Sequence, residues 1–198
     1  MSDVGEIQTL FESAKLAYAA KGYARALPLL DAILEKSPES PEGLGARHLR
    51  AMAYEFGNTP QGVALGAALE DFRVLSDKSD VVGSSGLVGA ARVLCQMDLG
   101  GRVDEIRSLC LQAMEMDGST AAMMLLGFLS LEADGDVGSA KKWFMSAFRG
   151  GSLWGLRYLA AAYCEEGRWH MGLLARFAAL VLAPAYALTG RARMSPYH

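Results

Sequence analysis

The sequence predicts an all-α protein, an α-solenoid built from about five helix-turn-helix repeats. Hydrophobic residues make up 52% of the 198-residue chain. Ala, Leu and Gly dominate, whereas Val, Ile and Thr, which are common in sheets, are sparse. The second observation is a pattern of apolar residues at helical spacing that begins in residues 10–38 and returns four more times. Periods of about 20 to 50 residues are typical of repeat arrays.

Residues 10–38 contain the clearest helix pair. The first helix carries Ala14 on its apolar face and ends at Gly22, and the second carries Ala26 and Leu30 and ends at Pro38. The two alanines allow the helix axes to approach to the usual distance of about 8–10 Å. Because one such pair cannot bury both faces of its helices, it needs neighbouring pairs.

The second helix of each repeat carries a triplet of mostly small or apolar residues, in which the second and third members follow the first by four and seven positions. The triplets are Ala26, Leu30 and Ile33; Ala68, Phe72 and Leu75; Ile106, Cys110 and Ala113; Ala140, Phe144 and Ala147; and Gly172, Arg176 and Ala179. Their regular recurrence fixes the register of the five repeats.

The first helices are predicted at 4–20, 41–57, 84–99, 120–134 and 153–166. Ser40, Ser119 and Ser152 precede three of these helices as candidate N-caps. We therefore predict a single domain over 1–198, with repeats at 4–40, 41–80, 84–118, 119–151 and 152–184 and a tail at 185–198. Residues 76–86, SDKSDVVGSSG, are predicted as the longest flexible linker.

Residues 7–40 resemble a tetratricopeptide repeat. Its hallmark places are occupied by Leu10, Ala14, Ala17, Ala26, Leu30, Ile33 and Pro38. Residues 120–170 look more like the related Sel1-like repeat, through Leu126-Gly127, Asp136, Ala140, Trp143-Phe144, Ala147 and Gly150. The resemblance implies a right-handed superhelix whose inner wall is lined by the first helices, and it implies a binding scaffold.

Twelve positions of the first helices face inward in such a superhelix and form the predicted partner-binding groove. They are Phe11, Lys15, Tyr18, Leu49, Met52, Val88, Arg92, Met124, Phe128, Leu131, Trp154 and Arg157. Aromatic residues, Met and Arg are enriched at interface centres, and an apolar groove suits a helix or an extended segment of another protein. The alternative for each position is packing against a neighbouring repeat. Phe11, Phe128 and Trp154 are favoured as partner contacts.

Charge and cysteine content exclude several other classes of protein. The net charge is −3 with both signs interspersed, which predicts neither a nucleic-acid partner nor binding to an anionic membrane. The three cysteines, Cys95, Cys110 and Cys164, predict reduced thiols in a cytoplasmic protein, and the acidic start predicts no secretory signal. The longest apolar run, residues 171–188, contains an arginine and a proline, so we expect a buried terminal helix rather than a membrane span.

We expect no cofactor, no metal site and no enzyme. The three histidines are far apart with no metal-ligand spacing, and no Cys-x-x-Cys pair exists. Residues 83–86, GSSG, lack both the phosphate-loop and the nucleophile-elbow pattern. A catalytic site would require His48 to converge with Glu55 and either Arg47 or Arg50 on a cleft.

The leading functional hypothesis is an intracellular adaptor that binds a partner segment in the concave groove. The alternatives are a chaperone, a neutralising partner of a toxin (an immunity-type role), and a regulator that senses a small ligand. The terminal helix is too apolar for the polar cap that the end of a solenoid normally requires. Either the tail, residues 186–198, folds back over it, or another chain covers it; our hypothesis is a homodimer through this end.

Overall fold

A computed structural model describes residues 3–57 and 64–188, which contain ten α-helices and no strand. The helices are α1 Asp3–Ala19, α2 Tyr23–Lys36, α3 Pro41–Phe56, α4 Leu65–Ser76, α5 Val81–Asp98, α6 Val103–Asp117, α7 Thr120–Glu132, α8 Val137–Arg149, α9 Leu153–Glu165 and α10 Trp169–Leu188. The predicted all-α fold is confirmed, and each predicted first helix lies within one turn of its predicted position.

The chain divides into two compact units, Met1–Asp98 and Leu99–His198. In the first unit the helices α1 to α5 pack consecutively, and α3 also contacts α1 and α5. In the second unit the helices α6 to α10 pack consecutively. The boundary falls inside the third predicted repeat, between α5 and α6. The single domain over 1–198 stays a prediction.

The triplet positions form the cores of both units. In four of the five triplets every member is buried, including Phe72 and Phe144, which are among the largest fully buried side chains. These positions recur at helical spacing on one face of each second helix, which is the face turned towards the first helices. The fifth triplet differs because Arg176 is exposed.

Two glycines allow first helices to approach these aromatic rings. A Cβ on Gly89 of α5 would lie 2.3 Å from Cδ1 of Phe72, and a Cβ on Gly127 of α7 would lie 2.4 Å from Cε1 of Phe144. Such distances are far below van der Waals contact, so any larger residue would displace a buried ring. A glycine of a first helix packed against a buried aromatic ring therefore occurs in each unit.

The structure contradicts the predicted flexible linker at 76–86. Helix α5 begins at Val81, so residues 83–86 are helical, and Gly83, Ser84 and Gly86 are buried. Asp80 caps this helix, since its Oδ1 accepts hydrogen bonds from the backbone N–H groups of Val82 (2.9 Å) and Gly83 (3.3 Å). Small residues lie here because α5 packs closely on α4, not because the chain is flexible.

The N-cap prediction is confirmed at two of the three serines. Ser40 Oγ accepts a hydrogen bond from the Gly43 N–H at 3.0 Å, and Ser119 Oγ accepts one from the Ala122 N–H at 3.4 Å. Ser152 precedes α9 without a side-chain cap hydrogen bond. Helix α10 continues through Pro184 to Leu188 instead of ending at that proline. Most of the predicted tail, residues 189–198, lies outside the described residues.

Candidate functional site

An open cleft of about 640 Å³ lies between α9 and α10 in the second unit. Both walls present mainly apolar side chains together with one arginine each. Its lining residues are Leu153, Trp154, Arg157, Tyr158 and Ala161 from α9, and Arg176, Ala179, Leu180 and Ala183 from α10.

Aromatic packing supports the α9 wall of the cleft. The Tyr158 ring lies 4.5 Å from the Phe128 ring in an edge-to-face arrangement and 5.7 Å from the Phe144 ring, between centroids. Trp154 lies 6.1 Å from Tyr158. Phe144 is buried in the core of the unit, so this chain of rings holds the α9 wall against the core. The wall is therefore formed before any partner arrives.

The two arginines make the cleft positively charged. The Arg157 guanidinium lies 4.7 Å from the centroid of the Trp154 ring, within the range of a cation–π contact. Arg157 and Arg176 are both exposed. Neither forms an ion pair with an acidic side chain in residues 3–57 and 64–188, and no acidic residue lines the cleft. A carboxylate brought into the cleft would therefore find an available guanidinium beside an apolar surface.

The structure separates the predicted groove residues of the second unit into two groups. Trp154 and Arg157 line the cleft. Phe128 and Leu131 are partly buried against the core of this unit. Met124 is buried, with 2% of its surface exposed. It cannot contact a partner in this structure because α7 packs its side chain into the core.

In the first unit most of the predicted groove residues also contribute to packing. Phe11, Tyr18 and Leu49 are partly buried against the core, and the Phe11 ring lies directly over Gly45 of α3. Met52 is partly buried as well. Lys15 is exposed, and its Nζ lies 2.9 Å from Glu12 Oε1.

Two further residues of the predicted groove, Val88 and Arg92, are buried, with 7% and 8% of their surface exposed. Both lie on α5, which is buried along most of its length because α4 and α3 pack against it. We predicted these side chains on an accessible wall. Here they belong to the interior of the first unit.

No family model and no curated protein matches the chain. Solved structures do match it. TTC0263, a thermophilic TPR protein of Thermus thermophilus, is 21% identical, with a TM-score of 0.69 over 91% of this chain and 97% of that chain. The chain has the tetratricopeptide-repeat fold. Two crystal structures of MamA are similar to it, with TM-scores of 0.59 and 0.60 at 14% and 12% identity; they cover 92% and 88% of this chain and 95% and 96% of theirs.

Within this tetratricopeptide-repeat fold, the first unit contains a buried charged pair. Arg92 donates hydrogen bonds through Nε to Oε1 of Glu55 and through Nη2 to Oε2, both at 2.5 Å. Gln96 donates a third to Glu55 at 2.7 Å. Burial raises the pKa of Tyr18 to about 12, and the neighbouring Tyr23 and Glu55 contribute in the same direction. Hydrogen bonds to both carboxylate oxygens stabilise the negative charge of Glu55 in this interior.

The charged residues that a catalytic site would require belong to two separate ion-pair clusters. Arg50 donates to Asp71 through Nε and Nη2, both at 2.8 Å, and Arg47 donates to the same carboxylate at 3.3 Å. Glu55 is buried and bonded to Arg92 instead. These arginines and Glu55 therefore bind different partners. In the described part of the chain, they do not converge with His48 on a cleft.

Two further findings concern metal ions and membranes. In the part of the chain that the structure describes, no group of three or more His, Cys, Asp and Glu side chains could hold a metal ion. Of the helices in residues 3–57 and 64–188, none combines the length and apolar character needed to span a bilayer.

Seven of the nine residues that line the cleft were not predicted from the sequence, among them Tyr158, Arg176 and Leu180. The prediction counted only inward positions of the first helices, whereas the cleft uses one wall from each helix of the last pair. One signal was present in the sequence. Arg176 occupies the middle place of a triplet that holds Leu, Phe, Cys and Phe in the other repeats. A charged residue at a core position indicates a site where the repeat pattern is broken for another purpose.

Proposed function

We propose that this protein is an adaptor that binds a segment of another protein, and that the cleft between α9 and α10 is a contact site for that segment. The tetratricopeptide-repeat fold supports a role in protein–protein interaction in general, since helical repeats offer extended binding surfaces. The observation that carries the proposal is the pair of arginines without acidic partners beside the exposed edge of an aromatic cluster.

The shape of the cleft favours a peptide segment over a small molecule. It is open to solvent, and five of its nine lining residues are alanine or leucine. A site for a small ligand is normally more enclosed and has several convergent polar groups. A helix or extended chain laid between α9 and α10 would instead bury Trp154 and Leu180 along its length. We therefore favour a protein-binding adaptor over a sensor of a small ligand.

The charge of the cleft suggests the chemistry of the segment. Arg157 and Arg176 flank an apolar surface, so we propose a segment with apolar residues on one face and carboxylates at its edges. A guanidinium on an aromatic ring is partly desolvated, which makes its hydrogen bond to a carboxylate stronger than one in bulk water. Such a partner would bind less tightly at high salt.

The more specific roles remain proposals about the identity of the partner. A chaperone and an immunity-type protein would both bind a client through this surface, and the first-unit positions Phe11, Tyr18, Leu49 and Met52 are further candidate contacts. The cytoplasmic location is a proposal that rests on the reduced cysteines. We assign the chain no catalytic role.

The experiment compares charge reversals inside and outside the cleft. The test variant combines Arg157→Glu with Arg176→Glu, and its matched control combines Arg149→Glu with Arg168→Glu. All four residues are exposed in the second unit, so both variants change the net charge equally and should fold. Immobilised wild-type and variant proteins are used to capture partners from the native host, and the captured proteins are quantified by mass spectrometry.

We expect the test variant to capture at least about tenfold less of the dominant partner than the wild type does. This decrease corresponds to about 1.4 kcal/mol of binding free energy. The control variant should retain that partner, and both thermal melts should resemble the wild type. Equal capture by the two variants would show that the cleft is not the contact site.

A further inference from the structure

The face of α10 that points away from α9 is an unusually large exposed apolar surface. We call it the outer face of α10; it consists of Trp169, Leu173, Leu174, Phe177, Leu180 and Val181, whose side chains are 55–73% exposed. The opposite face packs on α9 through Gly172 and Ala175. A helix that is apolar all round is normally buried on every side. Among the described residues, the outer face of α10 therefore lacks the packing partner that such an apolar helix normally has.

The size of this face matches one half of a stable protein interface. An aromatic side chain can bury about 150–250 Å², and leucine and valine somewhat less, so the six at their observed exposure present on the order of 700 Å². A standard interface buries about 800 Å² on each partner, whereas the largest apolar patch of a typical monomer is about 300–600 Å². The outer face thus falls within the range of a specific interface.

The pattern of the outer face is also symmetric about Phe177. Leu173 and Leu174 precede Phe177 by four and three positions, and Leu180 and Val181 follow it by three and four. A two-fold interface requires a surface that is complementary to itself when its direction is reversed. An antiparallel pair of α10 helices centred on Phe177 meets this requirement.

We propose that a second copy of this chain covers the outer face of α10, with the two α10 helices antiparallel and the two-fold axis at Phe177. Leu173 of one copy then contacts Val181 of the other, and Leu174 contacts Leu180. The antiparallel arrangement also places the positive end of each helix dipole beside the negative end of the other.

The charge of α10 favours this occupant over a highly charged one. The helix contains His170 and Arg176 and no acidic residue, so its outer face offers no salt bridge to a basic partner. Self-association through leucine and phenylalanine side chains depends on apolar burial, which salt does not screen. The dimer should therefore persist at high ionic strength, unlike binding of an acidic segment in the cleft.

The dimer surface differs from the cleft proposed for the partner segment. Trp154, Arg157 and Arg176 line the cleft, whereas Leu173, Phe177 and Val181 do not. Leu180 lies on the border of both and is shared by them, so the cleft is tested at Arg157 and Arg176 and the dimer at Phe177. The two tests can therefore fail independently.

The first test measures the mass of the full chain by light scattering. At about 100 µM, a concentration that saturates a micromolar dimer, wild-type protein should show twice the monomer mass, in both low and about 1 M salt. Phe177→Glu should give the monomer mass. The control Leu16→Glu, which changes a side chain 73% exposed in the first unit, should leave the dimer unchanged. A wild-type monomer at this concentration would overturn the proposal and assign the outer face to a different protein or to the chain's own residues 189–198.

The second test measures the arrangement and does not depend on a disruptive variant. In a Cys164→Ser background, Phe177→Cys should form a covalent dimer on mild oxidation, because the two copies of this position meet at the axis. Trp169→Cys should not, because its two copies would lie about 24 Å apart along the helices, beyond the reach of a disulfide. Equal cross-linking at both positions would show a parallel or unspecific contact, and absence of cross-linking at position 177 would place the axis elsewhere.

Discussion

Arg92 of α5 and Glu55 of α3 form a bidentate ion pair in the interior of the first unit. Both of its N–H···O distances are 2.5 Å, and the Glu55 side chain has no exposed surface. The Arg92 guanidinium also lies 5.0 Å from the centroid of the Phe56 ring. The two residues are 37 positions apart in the chain and lie on different first helices. The geometry of the pair therefore depends on the fold of the whole unit.

Loss of one partner of this pair should strongly destabilise the first unit. Glu55→Gln keeps the shape of the side chain but leaves the Arg92 charge buried without its carboxylate. We expect a loss of about 3–5 kcal/mol of unfolding free energy, measured by urea denaturation.

Two further variants show whether the effect comes from the buried charge. Glu12→Gln removes the partner of an exposed pair with Lys15 and should cost less than about 0.5 kcal/mol. The double variant Glu55→Leu with Arg92→Met replaces both charges by apolar groups and should be more stable than Glu55→Gln. A double variant no more stable than Glu55→Gln would show that the pair stabilises through its hydrogen bonds rather than by neutralising a buried charge.

His48 should make the first unit sensitive to acid. Its ring packs edge-to-face on Phe72 at 5.8 Å, and its Nδ1 lies 3.4 Å from Ser85 Oγ. Burial and the positive charge of Arg92 lower the pKa of His48 to about 4. In the unfolded chain an imidazole titrates near 6.5, so between these values the unfolded state binds a proton that the folded state does not.

The unfolding free energy should therefore fall as the pH is lowered from about 6.5 to about 4, by up to about 3 kcal/mol, and the contribution of His48 should then level off. His48→Asn removes this titration and should flatten the profile, measured by urea denaturation at a series of pH values. His170→Asn, a change at an exposed position, should retain the wild-type slope. An unchanged profile in the His48 variant would contradict the assignment.

The contact between Gly127 and Phe144 predicts a third effect. Gly127→Ala places a methyl group 2.4 Å from a buried ring atom, which should destabilise the second unit by about 1–3 kcal/mol in thermal or urea unfolding. The additional change Phe144→Leu should recover part of the loss. Gly100→Ala adds the same group where nothing lies within 4 Å, and a comparable loss there would show that the cost comes from glycine's backbone rather than from the ring.

The positions of the helices could be predicted from the sequence because the signals are local. Apolar spacing marked the buried faces, and Ser40 and Ser119 marked two helix starts that the structure confirms with cap hydrogen bonds. Asp80 was overlooked because the small residues after it are also typical of linkers. Only their burial against α4 distinguishes a close helix contact from a flexible segment.

The candidate site could be predicted only in part because accessibility depends on which helices pack together. Trp154 and Arg157 were placed on a binding wall and do line the cleft. Val88 and Met124 occupy equivalent register positions but are buried by neighbouring helices. Repeat register gives the direction of a side chain relative to its own helix pair. It does not give the contacts that adjacent helices make with that side chain.

The three cysteines should differ in their reactivity towards iodoacetamide at pH 8. Cys164 is exposed, Cys95 is partly buried and Cys110 is fully buried. Burial raises the pKa of Cys95 to about 11, so only about one thiol in a thousand there is the reactive thiolate at this pH. Mass spectrometry of the native protein should show a single early adduct at Cys164, with all three cysteines modified in urea. Modification of Cys95 at a rate close to that of Cys164 would mean that α5 opens far more readily than its burial implies.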